Sequence, residues 1–480
     1  MKQIIRKTNS ALWHRIVFKG GQQLVALIFG IFLARILSPR EFGIVAMANI
    51  VVHYANNFTN FGLNNALVQK DNVKEEHINT VFTIDFLISF FLVLVTVWFA
   101  DDIAVFFHKP DVGPVLRWMS LYYIITTFYY IPIVLLRRGI DFRFMTVVEF
   151  MEAVLTSLAA VFLALAGFSY WSIVVPTLVV PCLITVILMV KTRWRPRFTI
   201  GRDMSDLYSF GLWNFIRAQV QLLVAKVDYF VIGRYLDVSS LGIYEKSFEL
   251  TERAMSGLTM PVNGIFFSTF SRLQDDIAAV RGVFLQASTI LTFICYPVLL
   301  GLAAVAPHFV HSCLGPQWSE AVLPIRILAV GSLFRVLLGM VANVNVTVGY
   351  YKIHTFYNII AAVLFVGLCF WLVSYGIAAV CIGYFIYCLF SFLAGFVIIS
   401  HAVNLGIDEF IKALWCPVAG SLIMFLAVYL LSVNVFTDTG SFFDLILLII
   451  AGGLVYAAWC YPFYRMGLLN LSVRQVQQKV

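Results

Sequence analysis

Long apolar stretches follow one another along this chain with only short polar gaps between them, and that constrains the fold more than any other feature. A helix needs about 20 apolar residues to cross the hydrocarbon core of a bilayer. Turn residues and charges divide the sequence into fourteen such stretches, at 11–36, 41–62, 80–106, 113–136, 143–166, 169–190, 207–235, 239–263, 283–311, 320–347, 353–374, 377–400, 409–433 and 441–464. The longest polar gaps, 63–79, 191–206 and 264–282, leave no room for a folded extramembrane domain. Hydrophobic residues make up 61% of the 480 and charged residues 12%, where a soluble domain has about 45–50% and 25%. Mean hydropathy is +0.90. Disorder, a disulfide scaffold and a cytosolic enzyme are excluded. The expected fold is an all-α polytopic membrane protein of about fourteen transmembrane helices.

The basic residues test this layout. With the N-terminus inside, 22 of the 33 Lys and Arg fall on the inner side, 4 on the outer side (Arg35, Arg40, Lys109, Arg234) and 7 within spans. That bias is the positive-inside pattern. Both termini are expected to be cytoplasmic, and the +8 net charge calls for no nucleic-acid partner. The first apolar stretch runs past Lys19 to Leu37, so it reads as a span rather than a cleaved signal peptide. The eight cysteines form no Cys-x-x-Cys pair and read as small core residues.

The sequence also repeats itself weakly. Arg35-Ile-Leu-Ser-Pro-Arg-Glu-Phe-Gly-Ile44 aligns with Arg234-Tyr-Leu-Asp-Val-Ser-Ser-Leu-Gly-Ile243 at an offset of 199, matching Arg35, Leu37, Gly43 and Ile44 to Arg234, Leu236, Gly242 and Ile243. Asn64 matches Asn263 at the same offset, Leu12-Trp13 matches Leu212-Trp213, and Arg117 resembles Arg326. The copies begin six spans apart and so share one orientation. Parallel repeats around a central site are a transporter architecture. The expected organisation is a six-helix lobe at 1–190, a basic cytoplasmic linker at 191–206, a second six-helix lobe at 207–400, and two further helices with a cytoplasmic tail at 401–480.

Several ordered motifs carry a resemblance over about residues 1–400. They are Leu37-Ser-Pro-Arg-Glu-Phe-Gly43, Asn60-Phe-Gly-Leu63, Glu75-Glu-His77, Arg137-Arg-Gly-Ile-Asp-Phe-Arg143, Trp194-Arg-Pro-Arg197, Asp228-Tyr-Phe-Val-Ile-Gly-Arg-Tyr-Leu236, Leu241-Gly-Ile-Tyr244 and Phe270-Ser-Arg-Leu-Gln-Asp-Asp276. In these the chain resembles the polysaccharide transporter family, the Wzx-type lipopolysaccharide and exopolysaccharide flippases of the multidrug/oligosaccharidyl-lipid/polysaccharide (MOP) superfamily. The resemblance implies a bacterial inner-membrane flippase. Its substrate would be an undecaprenyl-pyrophosphate-linked repeat unit of O-antigen, capsule or exopolysaccharide, moved by alternating access with an ion gradient as the expected drive. It also implies a groove at the last two spans for the lipid tail. Expected partners are the lipid-linked oligosaccharide and membrane lipids, with a polymerase and a chain-length regulator as further candidates, around a monomeric protein.

Ionisable groups inside spans cost several kcal/mol unless paired or hydrated, so each is a functional candidate. The eighth span carries Glu245, Lys246, Glu249, Glu252 and Arg253; at i, i+4 and i+7 the three carboxylates share one face. Its repeat partner, the second span, is polar too, with His53, Asn56, Asn57, Asn60 and Asn64. Further charges are Lys19, Asp85, Glu149, Glu152, Arg217, Lys226 and Arg335. A pyrophosphate on a lipid carrier calls for cations, since guanidinium groups bind phosphate oxygens bidentately. The expected substrate-binding set is Lys19, Arg217, Lys226, Lys246, Arg253 and Arg335. The expected ion-coupling set is Asp85, Glu149, Glu152, Glu245, Glu249 and Glu252. The competing interpretation makes Lys19, Asp85, Glu149, Glu152 and Arg217 ion pairs that join helices.

The sequence contains no Gly-x-x-x-x-Gly-Lys-Ser/Thr loop, no Gly-x-Ser-x-Gly elbow and no His-Glu-x-x-His pair. No cofactor, metal or catalytic residue is expected. The rival functions are a multidrug or cation antiporter of the same superfamily, a membrane glycan polymerase or ligase, and a scaffold for polysaccharide enzymes.

Overall fold

The computed structural model describes residues 2–60, 63–69, 73–139, 141–201, 226–273 and 276–466. Every regular element among them is helical. The chain divides into two compact units, residues 1–242 and 243–480.

The first unit contains α1 (Lys2–Ile36), α2 (Pro39–Asn60), α3 (Leu63–Gln69), α4 (Glu75–Trp98), α5 (Ala100–Phe106), α6 (Val112–Met119), α7 (Leu121–Arg138), α8 (Phe142–Leu165), α9 (Trp171–Thr192) and α10 (226–235). The next helix, α11 (Val238–Arg272), begins in this unit and continues into the second. In the first unit α1 lies along α8, where the Phe18 and Phe150 rings meet edge to face at 5.7 Å. Helix α7 packs on α4 and α9. Phe82 centres the core, with Phe128 and Trp194 both at 5.2 Å between ring centroids. Trp194 belongs to the basic segment after α9, and that segment is fastened along α4. Thr199 N donates to Thr83 Oγ1 at 3.0 Å, Gly201 N to Thr80 Oγ1 at 2.9 Å, and Arg197 pairs with Glu75 at 3.1 Å.

The second unit continues with α12 (Ile277–Phe309), α13 (Val322–Thr347), α14 (Tyr351–Leu372), α15 (Ile377–Ala402), α16 (Ile407–Asn434) and α17 (Phe442–Arg465). Helix α12 packs against both α13 and α16, and α13 against α15. Phe284, Phe392, Phe396 and Phe410 fill the space between them. Helix α17 closes on α16 and α12: Tyr456 Oη donates to the Phe293 carbonyl at 2.8 Å, and Trp459 Nε1 to the Cys416 carbonyl at 3.1 Å.

Eleven helical segments among the described residues are long and apolar enough to span a membrane. They coincide with eleven of the fourteen expected spans. Of the other three, the seventh lies mostly outside the described residues. The second and eighth are helices α2 and α11, too polar to count among the eleven. These are the two helices singled out by sequence as polar. Apolar side chains cover the outside of the protein, with Phe162 72% exposed and Val190 74%; a water-soluble surface does not carry such patches.

The boundaries differ from expectation in instructive places. The third span is broken at Phe99 into α4 and α5, and the fourth at Ser120 into α6 and α7. The polar gap 63–79 contains α3, and α11 runs on to Arg272 through half of the gap 264–282. Hydropathy marks where the apolar environment ends. The backbone hydrogen-bond ladder continues wherever neighbours pack against it.

Candidate functional site

Helix α11 brings the largest set of charges together. One turn of helix separates residues three or four apart, so Lys246, Glu249 and Arg253 stand in a row. Glu249 accepts from Lys246 Nζ at 2.7 Å with one oxygen and from Arg253 Nη2 at 2.6 Å with the other. Lys246 is buried at 3% exposure, while Glu249 and Arg253 reach the surface of the unit. On the adjoining stripe Glu252 faces α13, where Arg335 Nη1 lies 2.8 Å from Glu252 Oε2 and 2.7 Å from the Tyr384 hydroxyl on α15. The guanidinium lies 5.6 Å from the Phe248 ring and 6.0 Å from the Tyr384 ring, which meet each other edge to face at 5.4 Å. Each arginine presents five N–H donors. Arg335 Nε and Nη2, and Arg253 Nε and Nη1, engage no described residue. Glu245 is half-buried on the same helix.

Of the expected ion-coupling carboxylates, Glu249 and Glu252 are therefore paired with cations. Of the expected substrate cations, Lys246, Arg253 and Arg335 occupy one three-helix cluster. Tyr384 completes it and was not foreseen, because one tyrosine in an apolar helix carries no pattern among 21.

The remaining candidates among the described residues lie in the first unit. Lys19 is half-buried on α1, with no ion-pair partner among the described residues. Lys226 Nζ sits 3.8 Å over the Tyr229 ring at the start of α10. Glu152 on α8 accepts from the Tyr129 hydroxyl at 3.0 Å, and Glu149 is half-buried one turn before it. Asp85 on α4 is 2% exposed and accepts a hydrogen bond from Asn64 Nδ2 of α3 at 3.2 Å. Among the described residues, none of Lys19, Asp85, Glu149 and Glu152 joins helices through an ion pair. Arg217 lies outside the described residues. Arg117 and Arg326, matched in the repeat, are used differently. Arg117 pairs with Asp101 on α5, and Arg326 Nε donates to the Ala303 carbonyl at 3.1 Å.

Residues 32–323 match the polysaccharide biosynthesis protein family. The chain belongs to it. Within that family of MOP-superfamily polysaccharide transporters, one relative is the succinoglycan biosynthesis transport protein ExoT of Rhizobium meliloti, 30% identical over 305 residues, which are 62% of this chain and 60% of that protein. Another is the lipopolysaccharide biosynthesis protein WzxC of Escherichia coli, 21% identical over 401 residues, or 80% of this chain and 79% of that one. Among solved structures, the lipid II flippase MurJ in an inward closed conformation superposes with a TM-score of 0.73 at 16% identity, covering 94% of this chain and 99% of that one. At that identity the likeness is one of fold. This polysaccharide biosynthesis protein is a multi-pass membrane protein, as the eleven apolar helices require.

Proposed function

We propose that this chain is a flippase, moving an oligosaccharide linked to undecaprenyl pyrophosphate across the bacterial inner membrane for O-antigen, capsule or exopolysaccharide assembly. The observation that carries the reading is the cluster of Lys246, Arg253 and Arg335, whose spare guanidinium donors belong to a member of a polysaccharide transporter family. In a low-dielectric setting such donors are strong phosphate ligands. Glu249 and Glu252 keep the empty site near neutrality. An entering pyrophosphate competes with them for the arginines, so binding and release exchange one set of charge-assisted bonds for another. Exchange of this kind suits a carrier, because a site that held the anion outright would not let it leave. The function involves no covalent chemistry. The termini are assigned to the cytoplasm by the basic-residue bias. An ion gradient drives the alternating access of the two repeats, and the protein works as a monomer beside a polymerase and a chain-length regulator.

The test is lipid analysis of inner membranes from cells depleted of the protein. Accumulation of the completed glycan on polyprenyl pyrophosphate, with loss of surface polysaccharide, supports the flippase. Normal lipid-linked units with increased sensitivity to cationic drugs would instead assign a multidrug exporter. A unit that is never completed would assign an enzyme or assembly factor.

A further inference from the structure

Among the described residues, Asp85 is the one carboxylate of the six candidates that is fully buried without a cation beside it. It stands ten residues into α4, roughly 15 Å along the helix. Asn64 donates to its Oδ2 at 3.2 Å, whereas Oδ1 is buried and has no hydrogen-bond partner among the described residues. An ionised carboxylate costs several kcal/mol in such surroundings unless a positive charge accompanies it.

The ionisable groups of the elements packed against α4 do not supply that charge. From α7, Arg138 donates to the Leu67 carbonyl at 2.6 Å, Tyr123 meets Thr96 at 3.3 Å and Tyr129 donates to Glu152; Arg137 lies at the end of the helix, with Arg138. The Tyr122 ring, also on α7, stands edge to face with His53 of α2 at 6.2 Å, and Tyr130 stands against Tyr129 at 6.0 Å. From α2, Arg40 pairs with Asp111 at 2.8 Å, Glu41 is held by Ser38 and Ser169, and the Tyr54 ring meets Phe58 at 5.8 Å. Arg117 of α6 pairs with Asp101 of α5, and Asp102 follows it in the same first turn. Helix α3 carries no ionisable residue, and those of α4 itself, Glu75, Glu76 and His77, lie in its first turn.

We infer that Asp85, oriented by Asn64, is a binding site for a monovalent cation, a proton or a sodium ion, in the first unit. Its cation is the counter-charge that the described protein lacks. Asn64 fixes the carboxylate through Oδ2 and leaves Oδ1 to the cation. As the site that couples an ion gradient to transport, Asp85 rests on the flippase reading; as a cation site it does not.

The test therefore needs no lipid substrate. The full-length protein, purified in detergent, is melted over a range of pH and, at constant ionic strength, with sodium replaced by potassium. Sodium-dependent stabilisation in the wild type, lost in Asp85→Asn, identifies sodium. Stabilisation by acid, lost in the same variant, identifies the proton. Asn64→Ala, which keeps the carboxylate, shifts the half-response by roughly tenfold in cation concentration, one pH unit if the cation is a proton. Gly367→Ala, on α14 with open space around it, leaves the response in place. A wild type that responds to neither cation, or an Asp85→Asn protein that responds as the wild type does, overturns the inference. If Asp85→Asn fails to fold, the Asn64→Ala shift decides alone.

Discussion

Gly43 and Gly242 stand 199 positions apart at matching places in the repeat and pack backbone against backbone in the first unit. A Cβ on Gly242 would lie 2.9 Å from Gly43 N and overlap the Pro39 carbonyl, and one on Gly43 would overlap the Val238 carbonyl. The first turns of α2 and α11 therefore cross at a distance that only glycine permits, the close approach that small residues give to helices in membranes. Ser38 and Asp237, the residues before the two helices, shape the turns: Ser38 bonds to Glu41 at 2.8 Å and Asp237 accepts from Ser239 N at 3.1 Å.

Gly43→Ala and Gly242→Ala should each destabilise the protein by about 1–3 kcal/mol, the usual cost of overpacking. Melting of the purified variants checks this. Gly367, on α14 with open space around it, is the control, and Gly367→Ala should leave stability unchanged or slightly raised. Equal behaviour of all three would mean that the crossing opens at little cost.

Arg335→Ala should reduce surface polysaccharide at least tenfold at unchanged membrane abundance, because it removes the donors and leaves Glu252 without its partner. Glu252→Gln should retain much more export, since an amide oxygen still accepts from Arg335 and the cation remains. Quantification of polysaccharide against protein level separates the two. Similar losses in both variants would make the pair structural.

Glu249 serves two cations, so Glu249→Gln removes a charged partner from both Lys246 and Arg253 on one helix face. It should melt well below the wild type. Adding Lys246→Met should restore part of the loss, with a coupling of about 1–3 kcal/mol between the neighbouring positions. Additive effects on the melting temperature would argue against the ion-paired row.

Asp237 makes the turn before α11 sensitive to acid. Burial pushes its carboxyl up, but the Ser240 hydroxyl and the backbone N–H groups of Ser240, Asp237 and Ser239 outweigh that and hold it below its usual value. A depressed carboxylate lends stability above its unfolded value, near 4, and loses it as pH falls through the folded value. Asp237→Asn keeps the capping oxygen and should melt with a shallower dependence on acid than the wild type. Parallel melting curves on acidification would sink this assignment.

Much of this protein was determined by sequence alone. Runs of apolar residues long enough to satisfy their own backbone in lipid leave no alternative to spanning helices, so the all-α class and eleven spans were legible from Phe18 to Arg465. The polarity of α2 and α11 was legible too, because charge within a span is rare enough to stand out. Spacing along one helix put Glu245, Glu249 and Glu252 on one face, since helical geometry is local, while the pairing of Lys246 with Glu249 came from the structure. What lay beyond sequence was every relationship between helices. Arg335 could be named as a charge, but its contacts with Glu252 and Tyr384 depend on how α11, α13 and α15 pack. Asp85 and Glu152 looked alike as intramembrane acids. Packing gave Glu152 a tyrosine and a half-exposed position, and gave Asp85 one amide and full burial. Apolar helices can pack against one another in many ways with similar burial, so the pattern of hydrophobicity does not choose among them. Close-fitting contacts such as Gly43 against Gly242 do, and they exist only once the chain has folded.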